Sequence, residues 1–370
     1  MSVNRSLISP TSNPVLERAL RDKLTRRSQT TGDLGELEPL AIRLGLMQNT
    51  LKPRFRAPQI VLFAADHGIA VEGVGGQTCR HTDKLVTSLL ASELPVAVFA
   101  RIQGLELSVV DCGVAAAVPP HPRLLARKIA HGTRNARVAS AMSLAQAHAA
   151  IRAGMEIADS LPGNVVACAG IGVGSAESAA MVLARLSGVE MRDLLPPDRT
   201  VPADVWTHVH SVLASAHARH HDVTDGVEVM AAVGGYEMAM MVGVMLVAGS
   251  KRQLIVPDGM TALAALMVAS RIAPPVTDFC VYARSHGGDG LDQALGLFHA
   301  SALLELGMES VDGTGATLAW PLIRCAAALL SEVADGEDPG PTLPSGLTPA
   351  STRATTAPGA VAADEDQPAR

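Results

Sequence analysis

Short, continuous apolar runs alternate along the chain with longer Ala- and Leu-rich stretches. The runs end in small or polar residues and cover 59–66, 107–113, 164–170, 253–259 and 278–285. Stretches near 82–103, 141–160, 175–187, 203–220, 235–249 and 261–271 have the length and composition of helices. Continuously apolar strands are typical of parallel sheets covered on both faces. The pattern therefore predicts an α/β fold with a mostly parallel sheet.

The two ends of the chain differ from this alternating region. Residues 13–50 predict two helices around the polar turn TTGDLGELE. From 336 to 370 the chain is rich in Pro, Thr, Ala and Gly, which cannot bury enough apolar surface to order a segment. We therefore expect a disordered tail at 336–370.

Composition narrows the class of partner. The 370 residues include 36 acidic and 30 basic ones, giving a net charge of −6, and only 2% are aromatic. These values argue against nucleic acid and anionic membrane as partners. Five dispersed cysteines without a CxxC pair indicate reduced thiols rather than disulfides. With no apolar signal segment, and with Met238–Gly249 too short to span a membrane, we expect a cytoplasmic protein.

The residues that follow the strands are the first candidates for a site. Ligands of open parallel sheets bind beyond the carboxyl ends of the strands. We therefore expect functional residues at four places, which are Asp66-His67-Gly68, the loop from Gly170, Asp258-Gly259 and Ser285-His286.

The loop Gly170-Ile-Gly-Val-Gly-Ser175 follows a strand and begins a helix. Free N–H groups at a helix start favour an anion, so the loop can hold a phosphate. A tight strand-to-helix turn explains the same glycines. A dinucleotide site would want an acid about 20 residues on, and Glu190 lies there. That fingerprint normally follows the first strand, however, so a dehydrogenase is the weaker interpretation.

A second loop, Val311-Asp-Gly-Thr-Gly315, leads into the apolar helix ATLAWPLIRCAAALL. Its carboxylate, Asp312, can accept a proton, or it can cap its own helix. Both interpretations stay open on the sequence.

Three further motifs have two interpretations each. Asp66 and His67 can form an acid/base couple, although a structural turn in the cleft is favoured. Gly234 and Gly235 interrupt a helix and permit either close packing or ligand approach. His217 and His221 have the i, i+4 spacing of metal ligands, but a solvated helix end is favoured because no Glu completes an HExxH motif. We expect no metal and no cofactor.

Taken together, these motifs resemble the nicotinate-nucleotide–dimethylbenzimidazole phosphoribosyltransferase family of cobalamin lower-ligand assembly. The resemblance runs from about Leu24 to Glu332 and includes TTGDLGELEPLAIRL, VLFAADHGIAVEGV, LSVVDCGVA, KIAHGTRN, AGIGVGS, VTDGVEVMAAVGGYEMAMMVG, PDGMTALAAL, YARSH, ALGL and LLELGMESVDGTGATLAWPLI. The blocks AADHG, VGGYE and DGTGA are specific in combination.

The resemblance implies a doubly wound, Rossmann-like sheet with a smaller helical subdomain from the chain ends, usually as a homodimer. It divides the chain into a helical part at 1–50, a nucleotide-binding core at 51–285, C-terminal helices with the catalytic loop at 286–335, and the tail. It also implies transfer of phosphoribose from nicotinate mononucleotide to an aromatic nitrogen base, with Asp312 at the position of the family's general base.

Other site residues are assigned on the same resemblance. The residues expected to hold the nucleotide are Gly170, Gly172, Gly174, Ser175, Ser285, His286, Gly313, Thr314 and Gly315. Asp66, His67, Gly234 and Gly235 are expected to support the site.

Some positions depart from the family pattern. Asp312 replaces a glutamate, Cys168 another glutamate, and Ala232 a lysine, while Val173 replaces an asparagine. Gly75, Gly76 and Gln77 replace Ser-Ala-Tyr, and the loop after His286 is shortened to GGDG. These departures leave three alternatives, which are a transferase for a different base, a subunit of a hetero-oligomer with a homologue, and a non-catalytic nucleotide-binding paralogue.

Overall fold

The structure is a computed structural model and describes residues 8–75, 81–197, 201–285, 290–308 and 310–334. These residues all belong to one compact unit, Met1–Gly336. The predicted tail and His286 lie outside the described residues. The tail and the four predicted segments of the chain stay predictions.

Five parallel strands form the central sheet. They are β1 (Gln59–Ala65), β2 (Glu106–Gly113), β3 (Leu124–Ala126), β4 (Val165–Ile171) and β5 (Leu254–Pro257). Their order is β3-β2-β1-β4-β5, and every pairing is parallel. β1, β4 and β5 are buried along their whole length. The continuous apolar runs thus arise because these strands are covered on both faces, as predicted.

Thirteen α-helices are present in the described part of the chain. They are α1 (Pro14–Thr31), α2 (Leu37–Met47), α3 (Thr82–Leu90), α4 (Pro95–Gln103), α5 (Leu144–Ser160), α6 (Ser175–Ser187), α7 (Met191–Leu194), α8 (Ala203–Arg219), α9 (Gly226–Val233), α10 (Tyr236–Ser250), α11 (Met260–Ile272), α12 (Gly290–Gly296) and α13 (Thr314–Ser331).

The connections make the sheet doubly wound. From β1 the chain steps to β2 and β3 on one side, then returns past β1 to β4 and β5. Right-handed crossovers in opposite directions lie on opposite faces of a sheet. The order reverses between β1 and β4, so the crevice in which ligands bind such sheets lies beyond the ends of these two strands.

The helices pack in two groups that bear on the site. α10 packs on α5 and contacts β1, β2, β4 and β5, while α11 contacts α6, β4 and β5. α13 packs against α2 and α4, and α1 contacts both α2 and α13. Helices from the two ends of the chain therefore pack together and carry the final glycine loop to the sheet.

The prediction for 278–285 was wrong. Pro274 and Pro275 begin a 3₁₀ helix, Pro274–Phe279, and only a single bridge, Ile255 to Cys280, extends the sheet there. Arg284 and Ser285 form β6, which pairs in parallel with β7 (Leu304–Glu305). A proline lacks an N–H and fixes φ, which disfavours a central strand.

Two helical stretches, Thr82–Gln103 and Thr314–Ser331, are long and apolar enough to cross a membrane by length and composition alone. This is weak evidence, because buried core helices meet the same criteria. Thr82–Gln103 consists of α3 and α4, two helices separated at 91–94, and 61% of Thr314–Ser331 is buried. The cytoplasmic location stays a prediction.

Candidate active site

Two carboxylates share one guanidinium at the carboxyl end of β5. The Arg284 Nε donates to Asp258 Oδ1 at 2.9 Å, and its Nη2 donates to Asp312 Oδ1 at 2.7 Å. The third nitrogen, Nη1, donates to the carbonyl of Met308 at 2.9 Å. Three separate segments, the β5–α11 turn, β6 and the loop before α13, therefore meet in one buried cluster.

Asp258, not Asp312, caps helix α13. The second oxygen of Asp258 accepts the backbone N–H groups of Gly313 at 2.8 Å and Ala316 at 3.0 Å. Gly313 has φ +95°, a conformation that favours glycine, and a side chain there would press on Leu62 of β1. Because another residue satisfies the helix start, Asp312 is free of the capping role that the sequence left open.

Asp312 lies over the backbone of Gly259. A Cβ on Gly259 would overlap the whole Asp312 carboxylate. One Asp312 oxygen accepts from Arg284, and none of the described residues donates a hydrogen bond to the other, Oδ2. The side chain of Asp312 is 25% exposed, whereas that of Asp258 is fully buried. The two acids thus differ in their hydrogen bonds and in their access to solvent.

The surroundings of Asp312 raise its proton affinity. Burial and the neighbouring charge of Asp258 raise the pKa of Asp312 to about 7, against the opposing contact with Arg284. Burial alone would lower the pKa of Arg284, but Asp258 and Asp312 raise it. Asp312 is therefore a carboxyl group that gains and loses a proton near neutral pH, which a general base requires.

The glycines of the first loop are explained by packing. A Cβ on Gly172 would overlap the carbonyl oxygen of Ala65, and one on Gly170 would lie 2.6 Å from the Thr261 hydroxyl. The Gly170 N–H donates to that hydroxyl at 3.1 Å. Since Thr261 follows closely after Gly259, the loop and the Asp312 cluster are both attached to the β5–α11 turn.

The start of α6 already carries a carboxylate. Glu177 lies in its first turn and is half-buried. Burial raises the pKa of Glu177. The Val173 N–H donates to the Thr82 hydroxyl at 3.2 Å. These contacts do not test a nucleotide contact at Gly170, Gly172, Gly174 and Ser175, which stays a prediction.

Asp66 forms hydrogen bonds with several segments around the end of β1. Its Oδ2 accepts the Ala115 N–H at 2.7 Å, and its Oδ1 accepts the Thr82 hydroxyl. Its backbone pairs with Gly113 and Thr133. All of these contacts hold the ends of β1 and β2 and the loops around them, which agrees with the structural interpretation of Asp66.

His67 pairs with Glu237 rather than with Asp66. The His67 Nε2 lies 2.8 Å from Glu237 Oε1, with both side chains buried. A Cβ on Gly235 would overlap both groups. Gly235 therefore permits a close approach, while Gly234 packs against Met230. Burial lowers the pKa of His67, but Glu237, Glu177 and Asp66 raise it above its usual value overall.

The remaining predicted residues lie around the Arg284 cluster. Ser285 adjoins Arg284 in β6 and is half-buried, and the Thr314 hydroxyl donates to the Val311 carbonyl at 2.7 Å. A Cβ on Gly315 would lie 2.5 Å from the Arg284 side chain and 2.9 Å from Asp258. The final glycine loop thus makes room for the Arg284–Asp258 pair.

Two functional groups, Glu237 and Arg284, were missed as site residues. Asp258 was among the strand-end residues expected to be functional, although the sequence assigned it no particular role. Glu237 follows the two glycines and was used only to bound a helix. Arg284 carried no signal, because its partners lie 26 and 28 residues away in the chain.

Three histidines in α8 or just after it contact backbone carbonyls. His220 contacts the Ala136 carbonyl at 2.9 Å, His221 the Ala218 carbonyl at 3.1 Å, and His208 the Glu72 carbonyl at 2.6 Å. Among the described residues no group of three potential metal ligands occurs. A cavity of about 980 Å³ lined by α7 and α8 contains none of the residues predicted for the site.

Comparison with known proteins shows which proteins this chain resembles. The phosphoribosyltransferase family profile matches residues 9–340. The chain is 39% identical to the nicotinate-nucleotide–dimethylbenzimidazole phosphoribosyltransferase of Cupriavidus taiwanensis over 87% of this chain and 92% of that protein. It is 33% identical to the protein of the same name from Parabacteroides distasonis, over 86% and 93%.

A solved structure has the same fold. The crystal structure of the nicotinate-nucleotide–dimethylbenzimidazole phosphoribosyltransferase from Thermus thermophilus superimposes with a TM-score of 0.80 at 30% identity. It covers 86% of this chain and 96% of that one. These relatives confirm the predicted doubly wound α/β fold and give no support to a non-catalytic paralogue.

Proposed function

Because the chain belongs to the nicotinate-nucleotide–dimethylbenzimidazole phosphoribosyltransferase family, we propose that it transfers phosphoribose from nicotinate mononucleotide to a benzimidazole-type base. The products are nicotinate and an α-ribazole phosphate, the nucleotide of the cobalamin lower ligand. The chain is then a pentosyltransferase that acts on two small aromatic substrates.

The reaction asks for alignment and for one proton transfer. A ring nitrogen of the base forms a bond to the ribose C1′ through its lone pair. The C1′–N bond to nicotinate breaks, and its electron pair neutralises the pyridinium nitrogen, which makes nicotinate a good leaving group. Attack from the opposite face inverts the linkage from β to α. The N–H proton of the base must then leave, and a carboxylate can accept it.

Asp312 is the acceptor of that proton in this proposal. The observation that carries the role is its arrangement in the cluster: one oxygen is fixed by Arg284, the other has no described donor, and the pKa is raised to about 7 by burial and by Asp258. Asp258 cannot take the role, because its side chain is fully buried and both its oxygens are engaged.

The nucleotide would lie along the carboxyl edge of the sheet, between the Asp312 cluster and the first glycine loop. We assign its contacts to Gly170, Gly172, Gly174, Ser175, Ser285, His286, Gly313, Thr314 and Gly315. The shared attachment of both loops to the β5–α11 turn, through Gly259 and Thr261, supports this assignment. Asp66, His67, Gly234 and Gly235 would support the site through the contacts described above.

The accepted base is expected to differ in size from that of relatives with a glutamate. Aspartate shortens the reach by about 1.5 Å, the length of one carbon–carbon bond, and a shift of about 1 Å can cost on the order of a hundredfold in rate. A base that extends closer to Asp312 would restore the contact.

The assembly in this proposal is a homodimer.

Turnover with defined substrates tests the function. Purified protein is incubated with nicotinate mononucleotide and a panel of benzimidazoles, purines and phenols, and nicotinate and the α-nucleotide are measured by chromatography. We expect both products, in equal amounts, with at least one benzimidazole. No nicotinate with any base, in the presence of measurable nucleotide binding, would overturn the proposal. Light scattering reports the oligomeric state in the same preparation.

A further inference from the structure

We propose that Arg284 is a positioning residue for the transfer, which holds Asp312 over Gly259 with one oxygen free, and that Asp258 anchors Arg284 for this task. The inference rests on the proposed function, because it assigns Asp312 as the group that takes the proton. It adds two residues that act through Asp312 and do not touch the substrates.

All three nitrogens of the Arg284 guanidinium form hydrogen bonds. Its three nitrogens donate to Asp258, Asp312 and the carbonyl of Met308, and its side chain is 8% exposed. Arginine presents its donors in a rigid planar fork, so fixing two of them fixes the direction of the third. The position of the Asp312 carboxylate is therefore set by contacts made elsewhere in the fold.

Asp258 links the side chain of Arg284 to the start of α13. One of its oxygens receives the Arg284 Nε, and the other receives the N–H groups of Gly313 and Ala316. The same carboxylate thus orients the guanidinium and the loop that carries Asp312. Glycines at 259 and 315 leave the space that Asp312 and Arg284 fill.

The charges in the cluster do not balance when both acids are ionised. Asp258, from the β5–α11 turn, and Arg284, from β6, are the charged groups that act on Asp312. At Gly313, β1 and α4 contribute apolar side chains, Leu62, Ile60 and Val96. One cation cannot fully compensate two neighbouring anions. Asp258 accepts three hydrogen bonds and is fully buried, whereas Asp312 accepts one and is 25% exposed, so Asp312 is the acid within reach of solvent and substrate.

A purely structural role of the cluster and a positioning role predict different effects of mutation. If the cluster only holds the fold together, loss of either partner lowers the stability and the amount of active protein at every pH. If it sets the proton affinity of Asp312, loss of Asp258 and loss of Arg284 move the pH profile in opposite directions, because Asp258 raises the pKa of Asp312 and Arg284 lowers it.

The experiment compares pH profiles of kcat/KM for nicotinate release from nicotinate mononucleotide and dimethylbenzimidazole. The proteins are the wild type, Asp258→Asn, Arg284→Gln, Arg284→Lys and the control Arg152→Gln, whose side chain is exposed on α5. We expect the acid limb to move down by about one pH unit in Asp258→Asn and up by about one unit in Arg284→Gln. Arg284→Lys should lie between Arg284→Gln and the wild type, and the control should match the wild type.

A second measurement covers variants that lose turnover. Carbon-13 NMR of aspartate-labelled protein follows the Asp312 carboxyl directly, with Asp312→Asn identifying its signal, and circular dichroism reports folding. Opposite displacements of this titration support the inference even without turnover by a variant. Displacements in the same direction, or none, overturn it. If the wild type itself releases no nicotinate with any base, the proposed function fails and the positioning role fails with it, whatever the titration shows.

Discussion

The Asp312 carboxylate lies against the backbone of Gly259, so closely that a Cβ on Gly259 would occupy its place. The two residues are 53 positions apart, and Gly259 is the turn between β5 and α11. Its φ of +90° independently favours glycine. The position of Asp312, the proposed general base, therefore requires a glycine at 259, in another segment of the chain.

Gly259→Ala should abolish nicotinate release because the new methyl group displaces Asp312. A matched control is Gly188→Ala, since Gly188 has φ +79° and no atom near a Cβ. Both variants are strained by about 1 kcal/mol or more at positive φ. We expect only Gly259→Ala to lose turnover, by at least about a hundredfold. Equal activity of the two variants would show that the contact with Asp312 does not matter.

Asp312→Asn should change the pH dependence of stability. The folded-state pKa of Asp312, about 7, is raised from a reference value of 3.8, so the folded chain binds this proton more tightly than the unfolded chain. The resulting stabilisation is present below about pH 4 and is lost as the pH rises to about 7. Relative to the wild type, Asp312→Asn should gain roughly 1–3 kcal/mol between pH 5 and pH 8.

Urea denaturation at the two pH values measures this gain. Asp22→Asn, on the exposed face of α1, is the control and should show no such difference. A constant difference between Asp312→Asn and the wild type at both pH values would mean that the proton affinity of Asp312 is not raised.

Asp258→Ala should destabilise the fold far more than loss of an ordinary helix cap. The substitution removes one of the two carboxylates that bind Arg284 and leaves two N–H groups at the start of α13 without an acceptor. The expected cost is roughly 3–5 kcal/mol. The comparison is Asp225→Ala, because Asp225 caps α9 at an exposed position through Val227 and Glu228. That variant should cost about 1 kcal/mol. Equal losses in chemical denaturation would refute the special role of Asp258.

Glu237→Gln should remove a pH-dependent part of the stability. The pKa of His67 is raised above 6.5, so its contribution is complete below about pH 6.5 and is lost as the pH rises through the folded-state pKa. The stability difference between the wild type and Glu237→Gln should therefore shrink as the pH increases. Thermal unfolding from pH 6 to pH 9 measures it, with Glu228→Gln, exposed on α9, as the control. A difference that is independent of pH would contradict the pairing.

The strands of the sheet were predictable because strands buried on both faces consist of continuous runs of apolar residues. β1, β2, β4 and β5 coincide closely with the apolar runs, and the helix from Ser175 ends at Ser187, where the prediction placed its end. β3, at Leu124–Ala126, is three residues long and half-exposed, so it has no comparable signal. The run at 278–285 was taken for a strand because its apolar residues are buried by contacts other than a ladder.

The site was predictable at the level of strand ends but not of contacts. The sequence identified Asp312 and left its role open between base and cap. That question depended on Asp258, whose capping of a helix more than 50 residues away is a tertiary contact. Arg284 is invisible for the same reason. The glycines were found, yet their main reason, room for Ala65, Thr261, Asp312 and Arg284, is visible only once the segments are packed.

The most direct test of Asp312 as general base is a single-turnover measurement with Asp312→Asn. Excess enzyme is mixed with nicotinate mononucleotide and dimethylbenzimidazole at pH 8, where the wild-type carboxyl is ionised, and nicotinate release is followed alongside nucleotide affinity by calorimetry. We predict a rate at least about a hundredfold below that of the wild type, with unchanged affinity for the nucleotide. A variant that releases nicotinate at the wild-type rate would contradict the account.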